Sequence, residues 1–263
     1  MTTDLKALKK LVAQGSRVLD AAGVADVFGH LSIRVPDSDR FLLPRAMSPG
    51  LVTDADVLTM NWDCKVLEGE GRPFIEAVIH SSIYRARQDV HSVAHFHSPM
   101  AIVLSMVGQG IRPVAGSNST LAFLNGTPIY EELTPTMTTL ITTHEQGQGL
   151  AKALGNCRAV LLKGHGSVVV GSNVQDTCLR SFNLERLARL QVFAEMIGTP
   201  RYLSPEEVEK VREQLKQENP LAGGEGPARF WDYYLRDRLS QSHQIPRLAT
   251  LLRMAAASCS RAR

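Results

Sequence analysis

The sequence predicts an α/β fold in which helices pack against a mixed or antiparallel central sheet. Segments whose apolar residues recur at helical spacing alternate with pairs of short strand-like segments joined by turns, which is typical of antiparallel strand pairs. The chain has no GxGxxG motif after a first strand and no phosphate-binding GxxxxGKS/T motif. A doubly wound nucleotide-binding fold is therefore not expected.

The first third of the chain begins with a helix and continues with two strand pairs. Asp4 is a suitable N-cap for this helix and Gly23 a suitable end. Its apolar residues follow helical spacing: Leu5, Leu8, Leu11, Val12, Val18 and Leu19. Two β-type runs flank the turn at 36–39 and predict a hairpin. Residues 56–71 predict a second pair of short strands before a glycine-rich turn.

The middle of the chain changes from strands to a helix, a strand and a second helix. Residues 73–87 have helical period, with one stripe on a common face: Ile75, Val78, Ile79, Ser82, Ile83 and Ala86. Residues 91–99 predict a strand, and a helix over 101–106 follows, with Pro99 near its first turn. Residues 112–139 are rich in turn formers and predict no regular element.

The last third predicts a helix that Gly155 ends, a strand–turn–strand unit in AVLLKGHGSVVVG, and a long amphipathic helix over 173–197. The apolar residues of that long helix are Cys178, Leu179, Phe182, Leu187, Leu190, Phe193 and Met196. SPEEVEKVREQLKQ predicts an exposed helix with a serine cap. After the break NPLAGGEGPAR come a helix over 230–239 and a tail, so the predicted units are a catalytic domain over 1–220 and a C-terminal helix and tail over 221–263.

Composition narrows the class of protein. A chain of 263 residues with 44% hydrophobic and 21% charged residues is typical of one globular domain, and a net charge of +3 does not favour nucleic acid or an anionic membrane as partner. The four cysteines include no CxxC pair, and no segment resembles a signal peptide or a membrane span. We therefore expect a cytoplasmic protein that acts on a small molecule.

The segment SVAHFHSP, residues 92–99, holds two histidines one residue apart. Side chains alternate along a strand, so His95 and His97 are expected on one face, and Ala94 and Phe96 on the other. Two imidazoles on the same face of a rigid strand would be unfavourable in an apolar core. Their ring nitrogens could instead provide two ligands of a metal ion.

Catalytic zinc commonly has three protein ligands and an open position, so a third ligand is expected. His165 is the best candidate, because Gly164 and Gly166 flank it at the end of an apolar strand and permit a tight turn and a close approach. Four other histidines compete for this place: His30, His80, His91 and His144.

Glu76 opens an otherwise apolar helix and is the candidate catalytic acid. A glutamate in a first helical turn is also favoured by the helix dipole, so a purely structural role stays open. Near a metal, its carboxylate could act as a ligand or as a general acid/base. The apolar neighbours Phe74 and Ile75 are expected to raise its pKa by desolvation.

Together these segments resemble the class II aldolase/adducin family. The motifs that carry the resemblance are GHLSIRV, PFIEAVIHSSIYRARQDVHSVAHFHS and LLKGHGSVVVG, and the likeness spans residues 5–196. It implies a three-layer αβα fold and a fourfold homotetramer with sites near subunit interfaces. It also implies His95, His97 and His165 as ligands of one divalent ion per subunit, Zn²⁺ or Mn²⁺ first and Fe²⁺ or Co²⁺ as alternatives, with Glu76 as the acid/base.

Three departures separate this chain from the phosphate-using members of that family. Those members typically have a G-N-x-S motif, a P-T-G turn and serines before the catalytic acid, whereas this chain has GHLS, LLPRAMSPG and PFI at these places. The resemblance is therefore to the branch with decarboxylases of hydroxylated aromatic diacids, such as the hydroxypyridine-dicarboxylate and dihydroxyphthalate enzymes. An aldolase or epimerase of a sugar phosphate, a non-haem iron oxygenase and a non-catalytic interaction module are the alternatives.

Four residues of the departing motifs are candidates for substrate binding. Arg45 could hold a substrate carboxylate as a bidentate partner, although an exposed turn arginine is an equal alternative. His30, Ser32 and Ser48 could add hydrogen bonds, or be structural only.

The late segment ARFWDYYLRDR combines four aromatic residues and three arginines. One interpretation is a helix that docks Trp231 and Tyr234 on the body of the protein. The other is that Arg229 and Tyr234 close an active site, of this subunit or of a neighbour, and exclude water.

Overall fold

A computed structural model describes residues 4–134, 136–217 and 225–238 of the chain. One eight-stranded sheet forms its centre, in the order β4-β3-β2-β1-β5-β8-β7-β6, and only the β6–β7 pair is parallel. The strands are β1 His30–Arg34, β2 Arg40–Pro44, β3 Val57–Asn61, β4 Val66–Glu68, β5 Ser92–Phe96, β6 Ile129–Tyr130, β7 Ala159–Leu162 and β8 Gly166–Gly171. The sheet is mixed and mainly antiparallel, as predicted.

Seven α-helices accompany the sheet within the described ranges. They are α1 Leu5–Ala21, α2 Ala77–Ala86, α3 Pro99–Met106, α4 His144–Leu154, α5 Val174–Ile197, α6 Pro205–Gln217 and α7 Glu225–Tyr233. Short 3-10 helices cover Pro49–Leu51, Asp54–Asp56 and Asn118–Phe123, and the π-helical segment Tyr234–Arg238 follows α7. None of the helices in the described ranges has the length and apolar character that a membrane span requires.

Alternate strand residues belong to two separate hydrophobic cores, one on each face of the sheet. Ala94 and Phe96 of β5 lie in the core that α1, α3 and α5 cover. Val93 of β5 and Val168 of β8 lie in the core that α2 and α4 cover. Both faces are therefore buried between helices, which confirms a three-layer αβα sandwich.

The predicted caps explain where several helices begin and end. Asp4 Oδ1 accepts a hydrogen bond from Ala7 N–H at 3.1 Å at the start of α1. Thr143 and Gln146 form a capping box at the start of α4, and Gly155 follows α4 with φ +50°. Local side-chain chemistry thus decides these boundaries.

The stripe predicted for the 73–87 helix is wrong at both ends. Ile75 is 70% exposed and precedes α2, which begins only at Ala77, and Ala86 is exposed as well. Residues Ala77–Tyr84 are instead all buried, because α2 lies in a core that contains sheet residues and α4. Burial all around a helix removes the one-sided pattern on which the prediction relied.

The long helix α5 is amphipathic only in its first part. Its buried residues run from Val174 to Gln191, whereas Leu190, Phe193 and Met196 are exposed. The helix continues past the core that buries its first turns, so the apolar pattern predicted for its end is not matched by burial.

The C-terminal region is partly described. Trp231 of α7 is buried in the core with α1 and α5, and Phe230 packs on Phe182 of α5 at a ring-centroid distance of 5.4 Å, which confirms the predicted docking of this helix. The helix begins earlier than predicted, at Glu225, inside the expected break. The first part of that break (219–224), residue 239, Cys259 and the tail lie outside the described residues, and the domain division at 220 stays a prediction.

Gly15 marks a close approach of α1 to the sheet and α5. A Cβ atom there would lie 2.5 Å from Val174 Cγ1 and 3.2 Å from Leu31 Cδ2. Overpacking costs about 1–3 kcal/mol, which exceeds the gain of up to about 1 kcal/mol from helix propensity. We expect Gly15→Ala to lower the free energy of unfolding by roughly 1 kcal/mol, measured by urea denaturation.

Gly198→Ala is the matched control, because nothing lies within 4 Å of a Cβ at Gly198. A Gly15→Ala protein as stable as this control would show that the α1 contact is loose.

Candidate metal centre

The antiparallel pairing of β5 with β8 brings three histidines together. Phe96 at the end of β5 lies opposite Ser167, so His97 is placed beside the β7–β8 turn that carries His165. The His95 ring centroid lies 5.2 Å from that of His97 and 5.0 Å from that of His165, and His97 Nε2 lies 3.2 Å from His165 Nε2. Two segments that are distant in sequence thus converge, as predicted.

Backbone carbonyls fix the orientation of two of these rings. His95 Nδ1 donates to Ser167 O at 3.1 Å, and His165 Nδ1 donates to Thr139 O at 3.3 Å. A carbonyl only accepts, so the lone pair of each neutral ring lies on Nε2. This is the arrangement found around metal-binding histidines.

His95 Nε2 is buried and makes no hydrogen bond within the described part of the chain. The nearest carboxylate oxygen, Glu76 Oε2, is 3.4 Å away. Buried polar atoms are normally paired, so an unpaired lone pair among imidazoles is suited to bind a cation. Ligating atoms of His95, His97 and His165 lie within 4.8 Å of one another.

The glycines on either side of His165 have the predicted roles. Gly164 has φ +68°, which a tight turn needs and which residues with a side chain rarely adopt. A Cβ at Gly166 would lie 2.7 Å from Phe96 O, 3.0 Å from His97 Cδ2 and 3.2 Å from His95 Cε1. The absence of a side chain at 166 therefore allows the two strands and the ligand rings to meet.

Glu76 faces the three histidines. It is the N-cap residue of α2 but makes no side-chain cap bond, and it is only 7% exposed. Its Oε1 accepts from Ile141 N–H at 3.1 Å, while Oε2 lies 3.4 Å from His95 Nε2 and 3.8 Å from His165 Nε2. One carboxylate oxygen is thus anchored and the other points at the metal centre, which a helix-dipole role alone does not explain.

The expected rise of the Glu76 pKa is not found. Burial raises the pKa of Glu76, but the effects of His95 and His165 and the hydrogen bond from Ile141 N–H together outweigh burial and bring the pKa to about 2. Ile75, one of the two apolar neighbours invoked in the prediction, is mostly exposed. The carboxyl group is therefore ionised at neutral pH.

His30 and Ser32 lie next to the centre but are engaged in internal hydrogen bonds. The His30 ring centroid is 5.1 Å from that of His95, and His30 Nδ1 lies 2.7 Å from His80 Nε2. Ser32 is fully buried, and its Oγ lies 2.6 Å from His80 Nδ1 and 2.7 Å from the Tyr84 hydroxyl. Ser32 therefore has no surface for direct contact with a substrate, contrary to its predicted role.

The other predicted substrate residues have partners elsewhere. Arg45 Nε donates to Asp56 Oδ1 at 2.8 Å, and Ser48 precedes the 3-10 helix Pro49–Leu51. Arg229 is exposed on α7, and the Tyr234 ring lies 4.8 Å from that of Phe230. Their roles in substrate binding stay predictions.

A cleft of about 450 Å³ opens beside the centre. It is lined by His97, Met137, Thr138, Thr139, Leu140, Lys163, Gly164 and His165. Lys163 is the cationic residue among them, and its Nζ lies 3.1 Å from Glu131 Oε2. Lys163 directly precedes the GHG motif, but a lone lysine carries no spacing signal, so the sequence alone does not single it out.

Comparisons with known proteins find relatives in sequence and in structure. The sequence profile of the Class II Aldolase and Adducin N-terminal domain matches residues 10–192. A 3,4-dihydroxyphthalate decarboxylase of Rhodococcus jostii is 29% identical over 211 residues, which cover 74% of this chain and 84% of the relative. The enzyme of the same name from a Terrabacter species is 30% identical over 205 residues, covering 73% and 83%.

Among solved structures, an aldolase II superfamily protein from Pseudomonas syringae superposes with a TM-score of 0.77. The superposition covers 92% of this chain and 95% of the other at 23% sequence identity. At that identity the likeness establishes the fold and no more.

Gly166→Ala should weaken metal binding without removing a ligand. The new Cβ would push against Phe96 O and the rings of His95 and His97, so we expect zinc affinity to fall by roughly ten- to a hundredfold, as for changes to groups that orient ligands. Chelator competition followed by elemental analysis measures the affinity. Gly198→Ala is the control, and unchanged zinc affinity in Gly166→Ala would contradict the close approach.

Stability of the metal-free protein should fall as the pH drops from 7.5 to 5. Burial and neighbouring imidazoles lower the pKa of His97 to about 4, and burial followed by His95 lowers the pKa of His80 to about 3. Below about pH 6.5 the unfolded chain binds protons that the folded chain does not, so stability is lost. The urea midpoint should be lower at pH 5, and the decrease should be smaller in His80→Asn. Equal midpoints at both pH values would contradict neutral, buried histidines.

Proposed function

The chain belongs to the class II aldolase and adducin family, and from that premise we propose that it decarboxylates a hydroxylated aromatic dicarboxylate. The family and its decarboxylase relatives identify it as a metal-dependent lyase with a small-molecule substrate. The proposal of an aromatic decarboxylase rests on the three imidazoles and the buried Glu76. They lie beside a cleft with a single cationic lining residue.

The environment of His30 and Ser32 supports an aromatic acid over a sugar phosphate. At the positions where phosphate-using relatives have the asparagine and serine of G-N-x-S, these two side chains bond to His80 and Tyr84 inside the protein. Ser32 is therefore not available to a phosphate, and His30 has only Nε2 left for a ligand. The cleft volume of about 450 Å³ is within the usual range for small-molecule sites.

His95, His97 and His165 are the proposed ligands of one divalent ion per subunit. Three neutral nitrogen donors with a carboxylate nearby suit Zn²⁺ or Mn²⁺, and also Fe²⁺ or Co²⁺. Such an ion would act as a Lewis acid for the oxygen that becomes negative as the carbon–carbon bond breaks.

Glu76 is the proposed proton carrier. Ionised at neutral pH, its carboxylate takes the proton of the substrate hydroxyl and delivers it to the ring carbon that bears the leaving carboxylate. The hydroxyl oxygen becomes a carbonyl and the ring carbon becomes tetrahedral. The carbon–carbon bond then breaks, carbon dioxide leaves, and the electron pair restores the aromatic ring with a phenolate that solvent protonates.

A homotetramer with sites near the subunit interfaces is proposed from the family resemblance. Apolar side chains exposed around the centre support it. Phe28 is 63% exposed and its ring lies 6.2 Å from that of His97, and Ile75 and Met137 are also exposed. Contact with a neighbouring subunit would bury such surface.

Anaerobic release of carbon dioxide tests the proposal. Protein loaded with Zn²⁺, Mn²⁺, Fe²⁺ or Co²⁺ is incubated with dihydroxyphthalates, hydroxypyridine dicarboxylates and, for comparison, a ketose 1-phosphate, with His97→Ala as the control. We expect metal-dependent release from an aromatic diacid. Cleavage of the ketose phosphate at a comparable rate would favour an aldolase, and turnover that requires oxygen and Fe²⁺ would favour an oxygenase.

Glu76→Gln should retain metal and lose turnover. The amide keeps the size of the side chain but cannot accept and release a proton near neutral pH, so we expect kcat to fall by roughly a hundredfold or more. Zinc content is measured alongside the rate. Glu145→Gln, at an exposed position in the first turn of α4, is the control. A full rate in Glu76→Gln would exclude the proton-transfer role.

Lys163→Met should impair binding of the second substrate carboxylate, the one that stays on the ring after carbon dioxide leaves. A hydrogen bond to a charged group contributes about 1.5–3 kcal/mol, so we expect KM for a dicarboxylate to rise roughly tenfold or more while kcat changes little. KM for an analogue without the second carboxylate should not change. Glu131→Gln, which frees Lys163 from its ion pair, is the control and should not raise KM. Equal effects on both substrates would contradict carboxylate binding by Lys163.

A further inference from the structure

We infer that Tyr84, Ser32 and His80 form a one-directional hydrogen-bond chain that holds His30 as an Nε2–H donor beside the candidate metal centre. Tyr84, Ser32 and His80 are positioning residues in this scheme, since they act through His30. The identity of the oxygen that accepts from His30 rests on the proposed function, but the direction of the chain does not.

The groups in this hydrogen-bond chain lie close to one another and are shielded from solvent. The Tyr84 hydroxyl lies 2.7 Å from Ser32 Oγ, Ser32 Oγ lies 2.6 Å from His80 Nδ1, and His80 Nε2 lies 2.7 Å from His30 Nδ1. Tyr84, Ser32 and His80 have no solvent exposure, and His30 has 3%. His30 and Ser32 lie on one face of β1. They thus contact His80 and Tyr84, which are one turn apart on α2.

The direction follows from counting hydrogens and acceptors. Within the described part of the chain, the hydroxyl group of Tyr84 has Ser32 Oγ as its side-chain acceptor, so Tyr84 donates to Ser32. Ser32 then uses its one hydrogen on His80 Nδ1, which leaves the hydrogen of neutral His80 on Nε2, where it is donated to His30 Nδ1. His30 therefore carries its own hydrogen on Nε2.

The opposite direction leaves a buried hydroxyl hydrogen without an acceptor. His80 would then donate to Ser32, and either Ser32 or Tyr84 would keep an unpaired O–H inside the protein. The cost of an unpaired buried donor favours the first direction by roughly tenfold or more. The position of the proton on His30 is thus decided by the hydroxyl hydrogens of Tyr84 and Ser32, each of which needs an acceptor.

This assignment separates His30 from the three proposed ligands. A ring nitrogen of His30 lies within 4.8 Å of a Glu76 carboxylate oxygen and a His95 nitrogen, so by proximity alone His30 could be a ligand. With Nδ1 occupied as an acceptor and Nε2 protonated, it has no free lone pair for a metal. An Nε2–H donor suits an anionic oxygen, such as the phenolate or carboxylate of the proposed substrate.

The position of the proton can be measured without substrate. ¹⁵N solid-state NMR of zinc-loaded protein labelled at histidine distinguishes Nε2–H from Nδ1–H rings, and the His30 signals are assigned by their loss in His30→Gln. We expect a neutral His30 with hydrogen on Nε2. An Nδ1–H ring or a zinc-bound Nε2 at His30 overturns the proposal in the wild-type protein, whatever the variants do.

Tyr84→Phe tests the hydrogen count. Without this hydroxyl, His80 Nδ1 is the side-chain acceptor left for the Ser32 hydrogen within the described part of the chain, so His30 should keep its hydrogen on Nε2. The kcat for the proposed decarboxylation should therefore change little. Tyr130→Phe is the matched control, because its hydroxyl is bonded to Glu132 and not to this chain.

The outcomes separate this inference from the proposed function. A protein with no decarboxylase activity but the predicted tautomers would refute the function and keep the hydrogen-bond chain. A second His30 tautomer in Tyr84→Phe, absent from the wild type, overturns the hydrogen count on which the direction rests.

Discussion

The register of β5 against β8 is the constraint on which the site depends. The pairs from Ser92–Gly171 to Phe96–Ser167 fix the end of one strand against the start of the other. A slip by one residue would turn His95 toward the opposite core and separate His97 from His165. Gly166 makes the register possible, because any side chain there would meet Phe96 O and two ligand rings. Backbone pairing, rather than contacts among the histidines themselves, therefore assembles the centre.

Burying the polar groups around the centre costs free energy, which hydrogen bonds offset. His95 and Ser32 on the sheet and His80 on α2 are fully buried. His80 and Ser32 have partners within 2.7 Å, whereas His95 Nε2 has none in the described part of the chain. Glu185 supports the same region from α5, since it accepts hydrogen bonds from Ser98 and Met100, just after His97. These hydrogen bonds hold the site rigidly. The unpaired atom, His95 Nε2, lies at the proposed metal position.

Much of this could be predicted because its causes are local in sequence. The strand period places His95 and His97 on one face, the flanking glycines single out His165, and Asp4 and Gly155 mark helix ends. The errors have a common origin in packing. Ile75 and Ala86 were predicted to be buried on a stripe that exists only for a half-exposed helix, and the Glu76 pKa was predicted from its sequence neighbours rather than from the histidines that face it.

The sequence by itself determined the alternation of elements, the candidate ligands and the departure from a phosphate-binding motif, since each is written in residue type and spacing. Only the tertiary structure decided that Ser32 is an internal link, that Arg45 pairs with Asp56, and that Lys163 lines the cleft. These outcomes depend on contacts between residues 11 to 52 positions apart or on the shape of a cavity. No local pattern encodes such distances, because they arise only when the sheet and its helices close around one another.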